Sequence, residues 1–146
     1  MLIEVLLMLP VFLLLVFTVM ETGHLAFRTI LLHHAAYEVA RIGSLTASAV
    51  AAPGCPPPAV NQGHMKTVAL AMLPNVQLSV DQKCSFQGCL PDPQEGCPDF
   101  DVVVTLTQKI PMIFPMTGFI LSNTQDRRYR VLKAEVRMPI ERPLFK

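Results

Sequence analysis

Residues 1–50 read MLIEVLLMLPVFLLLVFTVMETGHLAFRTILLHHAAYEVARIGSLTASAV. Val5 to Met20 is sixteen residues without a charge, interrupted only by Pro10. At about 1.5 Å per helical residue the run spans roughly 24 Å. A bilayer core is about 30 Å thick and usually takes about 20 residues. Counting from Leu2 reaches that length but encloses Glu4. A cleaved secretory signal fits poorly, because no basic residue precedes the apolar run and no small-x-small site follows it. The chain instead stays in helical register through residues 21–50, which contain no proline. Leu25, Leu32 and Val39 recur at seven, as do Ala35 with Ile42 and Ala36 with Gly43. Ala35, Ala36, Ala40 and Gly43 form a stripe of small residues that permits close helix packing. The expectation is one helix of about 45 residues, wholly apolar in its first half and amphipathic in its second. Its own domain cannot cover such a helix in a chain of 146 residues. The first half needs lipid or other copies of itself.

Beyond residue 50 the pattern changes. AAPGCPPPAVNQG, residues 51–63, is a proline- and glycine-rich breaker. Asn61 can cap a short helix over 62–73, with Met65, Ala69, Met72 and Leu73 on one face and Pro74 ending it. Three strands with period-2 alternation follow. Val76, Leu78 and Val80 face one way in the first. The second sets Phe100, Val102, Val104 and Leu106 against Asp101, Thr105 and Thr107. The third sets Leu132, Ala134, Val136, Met138 and Ile140 against Lys133, Glu135, Arg137 and Glu141. One apolar and one wet face predict an antiparallel sheet covered on one side, by the second half of the long helix and the short helix. The fold class is therefore α+β, with residues 1–50 as the long helix and 51–146 as a small head. Segment 110–125, IPMIFPMTGFILSNTQ, is apolar but broken by Pro111 and Pro115. It either closes the core or offers a surface to a partner.

Composition bounds the function. Charged residues make up 16% of the chain, against about 25% in an average soluble domain. Net charge is +1 and tryptophan is absent, which argues against a nucleic-acid partner. The C-terminal twenty residues are basic, but most of their charges alternate with apolar residues as on the wet face of a strand. Four cysteines, Cys55, Cys84, Cys89 and Cys97, suggest two disulfides on the oxidising side of a membrane. Of the three possible pairings, Cys84 with Cys97 and Cys55 with Cys89 is preferred. Their spacing is not that of zinc knuckles or of a C-x-x-C redox pair.

No catalytic or metal constellation emerges, and no cofactor is expected. His33 and His34 are adjacent on the long helix and diverge by about 100°. His24 stands apart from them, and His34 with Glu38 is an ordinary i,i+4 pair. Asp99 and Asp101 flank Phe100 and read as a solvated strand end rather than a cation site. Glu4 carries more chemical content. A carboxylate at the edge of an apolar run is costly unless it is paired or lies at a headgroup boundary. It is either a boundary residue of little consequence, or it pairs with the α-amino group of Met1 in a neighbouring chain and sets the register of a helix bundle.

The stretch 4–45 resembles the N-terminus of the TadE-like pilins of the tight-adherence (Flp) pilus system. Those proteins show a Glu, a Pro six residues on, a second Glu followed by Gly and an aromatic residue, and then A-A-x-E-x-A-R. Here these are Glu4, Pro10, Glu21, Gly23, Phe27 and Ala35-Ala36-Tyr37-Glu38-Val39-Ala40-Arg41. VVVTLTQKIP (102–111) and the strand ending VRMPIER (136–142) are similar more loosely. Mature chains of the family usually carry the first Glu at position 5, whereas it is at position 4 here. The resemblance implies a pilin-like fold whose residues 1–22 span the inner membrane and then line a filament core. It implies a non-enzymatic filament subunit, with other pilin subunits, a prepilin peptidase and an inner-membrane assembly platform as partners. The head would lie outside the inner membrane, and the assembled protein on the cell surface. A permanent single-pass anchor bearing an envelope-binding domain is the alternative.

Overall fold

The computed structural model describes residues 2–47, 58–84, 99–114, 117–122 and 128–140. The elements run α1 (Leu2–Thr46), α2 (Gln62–Met72), β1 (Val76–Cys84), β2 (Phe100–Pro111), α3 (Gly118–Leu121) and β3 (Tyr129–Pro139). The three strands form one antiparallel sheet in the order β1-β2-β3. This is the expected α+β arrangement, a long N-terminal helix with a short helix and a three-stranded sheet. The chain divides into two compact units, Met1–Leu31 with Gln108–Leu132, and Leu32–Thr107 with Lys133–Lys146.

α1 is continuous through Pro10. Proline has no N–H to give the Leu6 carbonyl, so one helical hydrogen bond is missing there. Threonines on the helix return their hydroxyls to carbonyls one turn back. Thr18 donates to Leu14 at 2.8 Å and Thr22 to Thr18 at 2.7 Å. A polar side chain in an apolar run is thereby satisfied without water.

In the larger unit, Leu32, Ala35, Ala36, Val39 and Ala40 are fully or almost fully buried. The stripe of small residues therefore packs inside this chain's own head. Gly43 shows why small residues are needed. A Cβ there would lie 2.7 Å from Met65 Cε, 3.0 Å from Met65 Sδ and 3.4 Å from Val102 Cγ1. The missing side chain is the space that α2 and β2 occupy. At the next residue, the Ser44 hydroxyl donates to the Pro139 carbonyl at the end of β3.

α2 begins where Asn61 accepts the His64 N–H at 3.1 Å. It buries Met65 and Ala69, followed by Leu73, and packs on β1. Met72, expected on that face, is exposed instead. It follows Leu73's neighbour Ala69 by three positions but falls on the opposite flank of the buried line. Pro74 and Asn75 then turn the chain into β1, with Asn75 in the left-handed region at φ 61°. Asparagine tolerates that conformation better than most residues.

Phe100 O accepts from Ile140 N at one end of the β2–β3 pairing, and Arg128 O from Met112 N at the other. Both steps are twelve residues on each strand, so the register is unbroken. β2 departs from the expected one-sided burial. Val102, Val104 and Leu106 are buried on one face, but Asp101 and Val103 are buried on the other. Asp101 is therefore not a solvated strand end. Arg137 donates to its carboxylate at 2.5 Å and to the Cys84 carbonyl at 2.8 Å. Arg137 thus reaches across the central strand and covers its second face. On β3, Lys133 donates to Glu135 at 3.1 Å; this bond and the Lys133 charge hold the exposed Glu135 carboxyl below the usual carboxylate range.

Candidate functional site

The residues singled out in the sequence fall into two sets. In the smaller unit, the first half of α1 carries Glu4 and Pro10, both exposed. Around them thirteen large apolar side chains between Ile3 and Met20 are exposed, Ile3 by 81% and Leu6 by 78%. α1 is long and apolar enough to cross a membrane. Fully burying side chains of this size is worth about 1.5–3 kcal/mol each. Because these side chains are only partly exposed in the single chain, covering them all is worth less than thirteen full burials, on the order of 10–25 kcal/mol in total. No isolated chain in water keeps such a surface uncovered, so this half of the helix is the candidate site. Met1, the proposed partner of Glu4, lies outside the described residues.

The second set, Ala35, Ala36, Ala40 and Gly43, is buried in the larger unit as described above. Cys84 ends β1 and is disulfide-bonded. Cys55, Cys89 and Cys97, and with them the expected pairings, lie outside the described residues. His33 and His34 are exposed on α1 and His24 is half-buried. Among the described residues no cluster of three or more His, Cys, Asp or Glu side chains could hold a metal ion.

One residue escaped the sequence reading as a site. Glu21 is fully buried. Its carboxylate accepts the Ile113 N–H at 3.2 and 3.3 Å and the Phe114 N–H at 3.0 Å. Thr117 Oγ1 lies 3.5 Å from the same carboxylate but gives its proton to the Phe114 carbonyl at 2.8 Å. One turn earlier on the helix, Phe17 stacks on Phe114, with ring centroids 5.3 Å apart and planes 12° from parallel. A carboxylate at the end of an apolar run is expensive to bury unless hydrogen bonds replace its water. Two backbone amides do so here, and they belong to the proline-broken segment that follows β2. That segment then turns through α3, whose last carbonyls are met in part by Arg130, which donates to the Leu121 carbonyl. The segment both closes the core and faces outward. Ile110 and Thr117 are buried, while Ile113 and Ile120 are exposed by 59% and 61%. The signal available in the sequence was an acid directly after the apolar run, paired with an apolar segment too broken to be a strand.

No curated protein and no solved structure gives a significant match to the chain. Residues 1–41, which hold the apolar run, Glu4, Pro10, Glu21 and the A-A-x-E-x-A-R motif, match the family model described as TadE-like protein.

Proposed function

We propose that the chain is a structural subunit, a pilin or pseudopilin, of a Tad-type pilus, held in the inner membrane by the first half of α1 and drawn from there into a filament. The observation that carries this reading is the division of α1. Its second half is packed into the head, whereas its first half presents a continuous apolar surface. In the membrane, lipid covers that surface; in a filament, the same helix of neighbouring subunits does. The match to the TadE-like family over residues 1–41 supports the Tad system as the setting. The disulfide-bonded head then faces the oxidising side.

Glu4 guides assembly in this reading. In an apolar bundle a carboxylate needs an opposite charge, and the α-amino group of Met1 in a neighbouring subunit supplies it. Removing one partner of a buried charge pair costs about 3–5 kcal/mol. Pro10, by deleting one helical hydrogen bond, loosens the helix beside that pair. The other partners are a prepilin peptidase and an inner-membrane assembly platform.

The test is recovery of the protein from sheared surface fibres, with its N-terminal sequence, in wild-type and Glu4→Ala cells. The proposal expects wild-type protein in fibres, and Glu4→Ala protein confined to the membrane at normal abundance. Wild-type amounts of fibre from Glu4→Ala would remove the pairing role. Wild-type protein found only in membranes would instead identify a permanently anchored envelope domain.

A further inference from the structure

The smaller unit has an outward-facing feature that the filament reading does not use. Glu21 and Phe17 hold Met112–Phe114 and Thr117–Leu121 against α1, at the level where its apolar run ends. Ile113 and Ile120 of this segment are exposed to solvent, as are Val19 and Met20 at the end of the apolar run of the helix. Lys109 and Arg128, both exposed, flank it in the chain, and the half-buried Arg130 donates to its Leu121 carbonyl. Among the described residues of this unit the carboxylates are Glu4, near the far end of the helix, and Glu21, which is buried. Among the described residues the exposed charge around the segment is therefore cationic.

We propose that this segment is a membrane-docking element. Ile113 and Ile120 enter the boundary between headgroups and acyl chains, and Lys109, Arg128 and Arg130 face anionic lipid headgroups. The inference rests on the reading of the first half of α1 as membrane-spanning. Three observations favour lipid over a second copy of the chain. The apolar contact is two isoleucines, far short of the roughly 1,200 Å² that a specific protein interface buries. The cationic surroundings of two copies would repel each other. The segment is fixed to the helix at the apolar run's end, where the headgroups lie if the run spans the bilayer. Apolar side chains among cations are the usual composition of an interfacial segment.

The absence of tryptophan makes the test direct. Full-length single-tryptophan variants Ile113→Trp, Ile120→Trp, Val11→Trp and Leu70→Trp are reconstituted in vesicles of equimolar phosphatidylcholine and phosphatidylglycerol. Quenching is read with lipids brominated at shallow or deep acyl positions. The proposal expects Val11→Trp to be quenched by deep bromines and Ile113→Trp and Ile120→Trp to lose most of their emission to shallow ones. Leu70→Trp, exposed on α2, keeps its emission. Unquenched Ile113→Trp and Ile120→Trp beside a quenched Val11→Trp overturn the docking element and leave the span intact. If their emission is also blue-shifted, a protein neighbour covers them. An unquenched Val11→Trp overturns the span and the docking element with it. Quenching of Leu70→Trp to the same degree means the whole head lies on the bilayer, which also overturns a localised element. Ile120→Trp leaves the Glu21 hydrogen bonds untouched, so the test survives if Ile113→Trp disturbs them.

Discussion

Glu21 shows how one side chain can organise a segment 92 residues away. Its carboxylate replaces water for the Ile113 and Phe114 amides, which have no strand or helix partner in that turn. Leaving a buried donor unsatisfied costs about 1–3 kcal/mol. Glu21→Ala strands both amides and opens a void, so it should destabilise the smaller unit by about 2–5 kcal/mol. Glu21→Gln keeps one acceptor oxygen and should cost about half as much. Amide hydrogen exchange locates the effect. Ile113 and Phe114 should be protected in the wild type, intermediate in Glu21→Gln and fast in Glu21→Ala. Unchanged exchange at these two amides would show that Glu21 does not hold the turn. The sequence marked Glu21 only through its resemblance to a family motif. Local pattern could not reveal its role, because its partners are backbone groups, carry no residue signature and are distant in sequence.

At the scale of elements, α1, α2 and the three strands were legible, because each has a hydrophobic period that no competing structure shares. The second face of β2 was not. Asp101, Thr105 and Thr107 suggested water, yet the unbroken run Val102-Val103-Val104 was the mark of a strand covered on both sides. α3 has no period to read in its four residues, which follow Pro115 closely. The cover over β2 is electrostatic as well as apolar. Asp101 lies opposite Pro139 in the observed register, so Arg137 is its diagonal neighbour, within reach of a long side chain. Asp101 is almost buried while Arg137 is half-exposed, which places the pair between an exposed and an interior ion pair. Asp101→Asn should therefore lower stability by about 1–2 kcal/mol. Arg137→Met keeps the aliphatic cover but loses both hydrogen bonds, and it should cost a similar amount. The two changes share one interaction, so the double variant should lose less than the sum. Full additivity in thermal denaturation would mean that the pair contributes nothing of its own.

At the scale of the whole molecule, the same helix serves two solvents, and its substitutions should separate accordingly. Leu32 is fully buried in the head, whereas Leu7 is exposed by 69% and Leu14 by 37%. Truncating Leu32 to Ala leaves a cavity and should cost about 2–5 kcal/mol, a fall of several degrees or more in the melting temperature of the detergent-solubilised protein. Leu7→Ala with Leu14→Ala removes no core packing and only the partial cover of Leu14 within the chain, so the melting temperature should fall far less than for Leu32→Ala. The cost should appear in the other solvent. Each truncation removes about three buried carbons from the apolar run, at about 0.8 kcal/mol per carbon. Resistance of the protein to alkaline extraction from membranes should fall, and so should its yield in fibres if the helix lines a filament. The opposite assignment, in which Leu7 and Leu14 lower the melting temperature and Leu32 does not, would mean that the first half of α1 folds back on the head rather than facing lipid or its own copies. The separation depends only on which residues are covered in the single chain. It therefore tests the division of α1 independently of what the filament or membrane is made of.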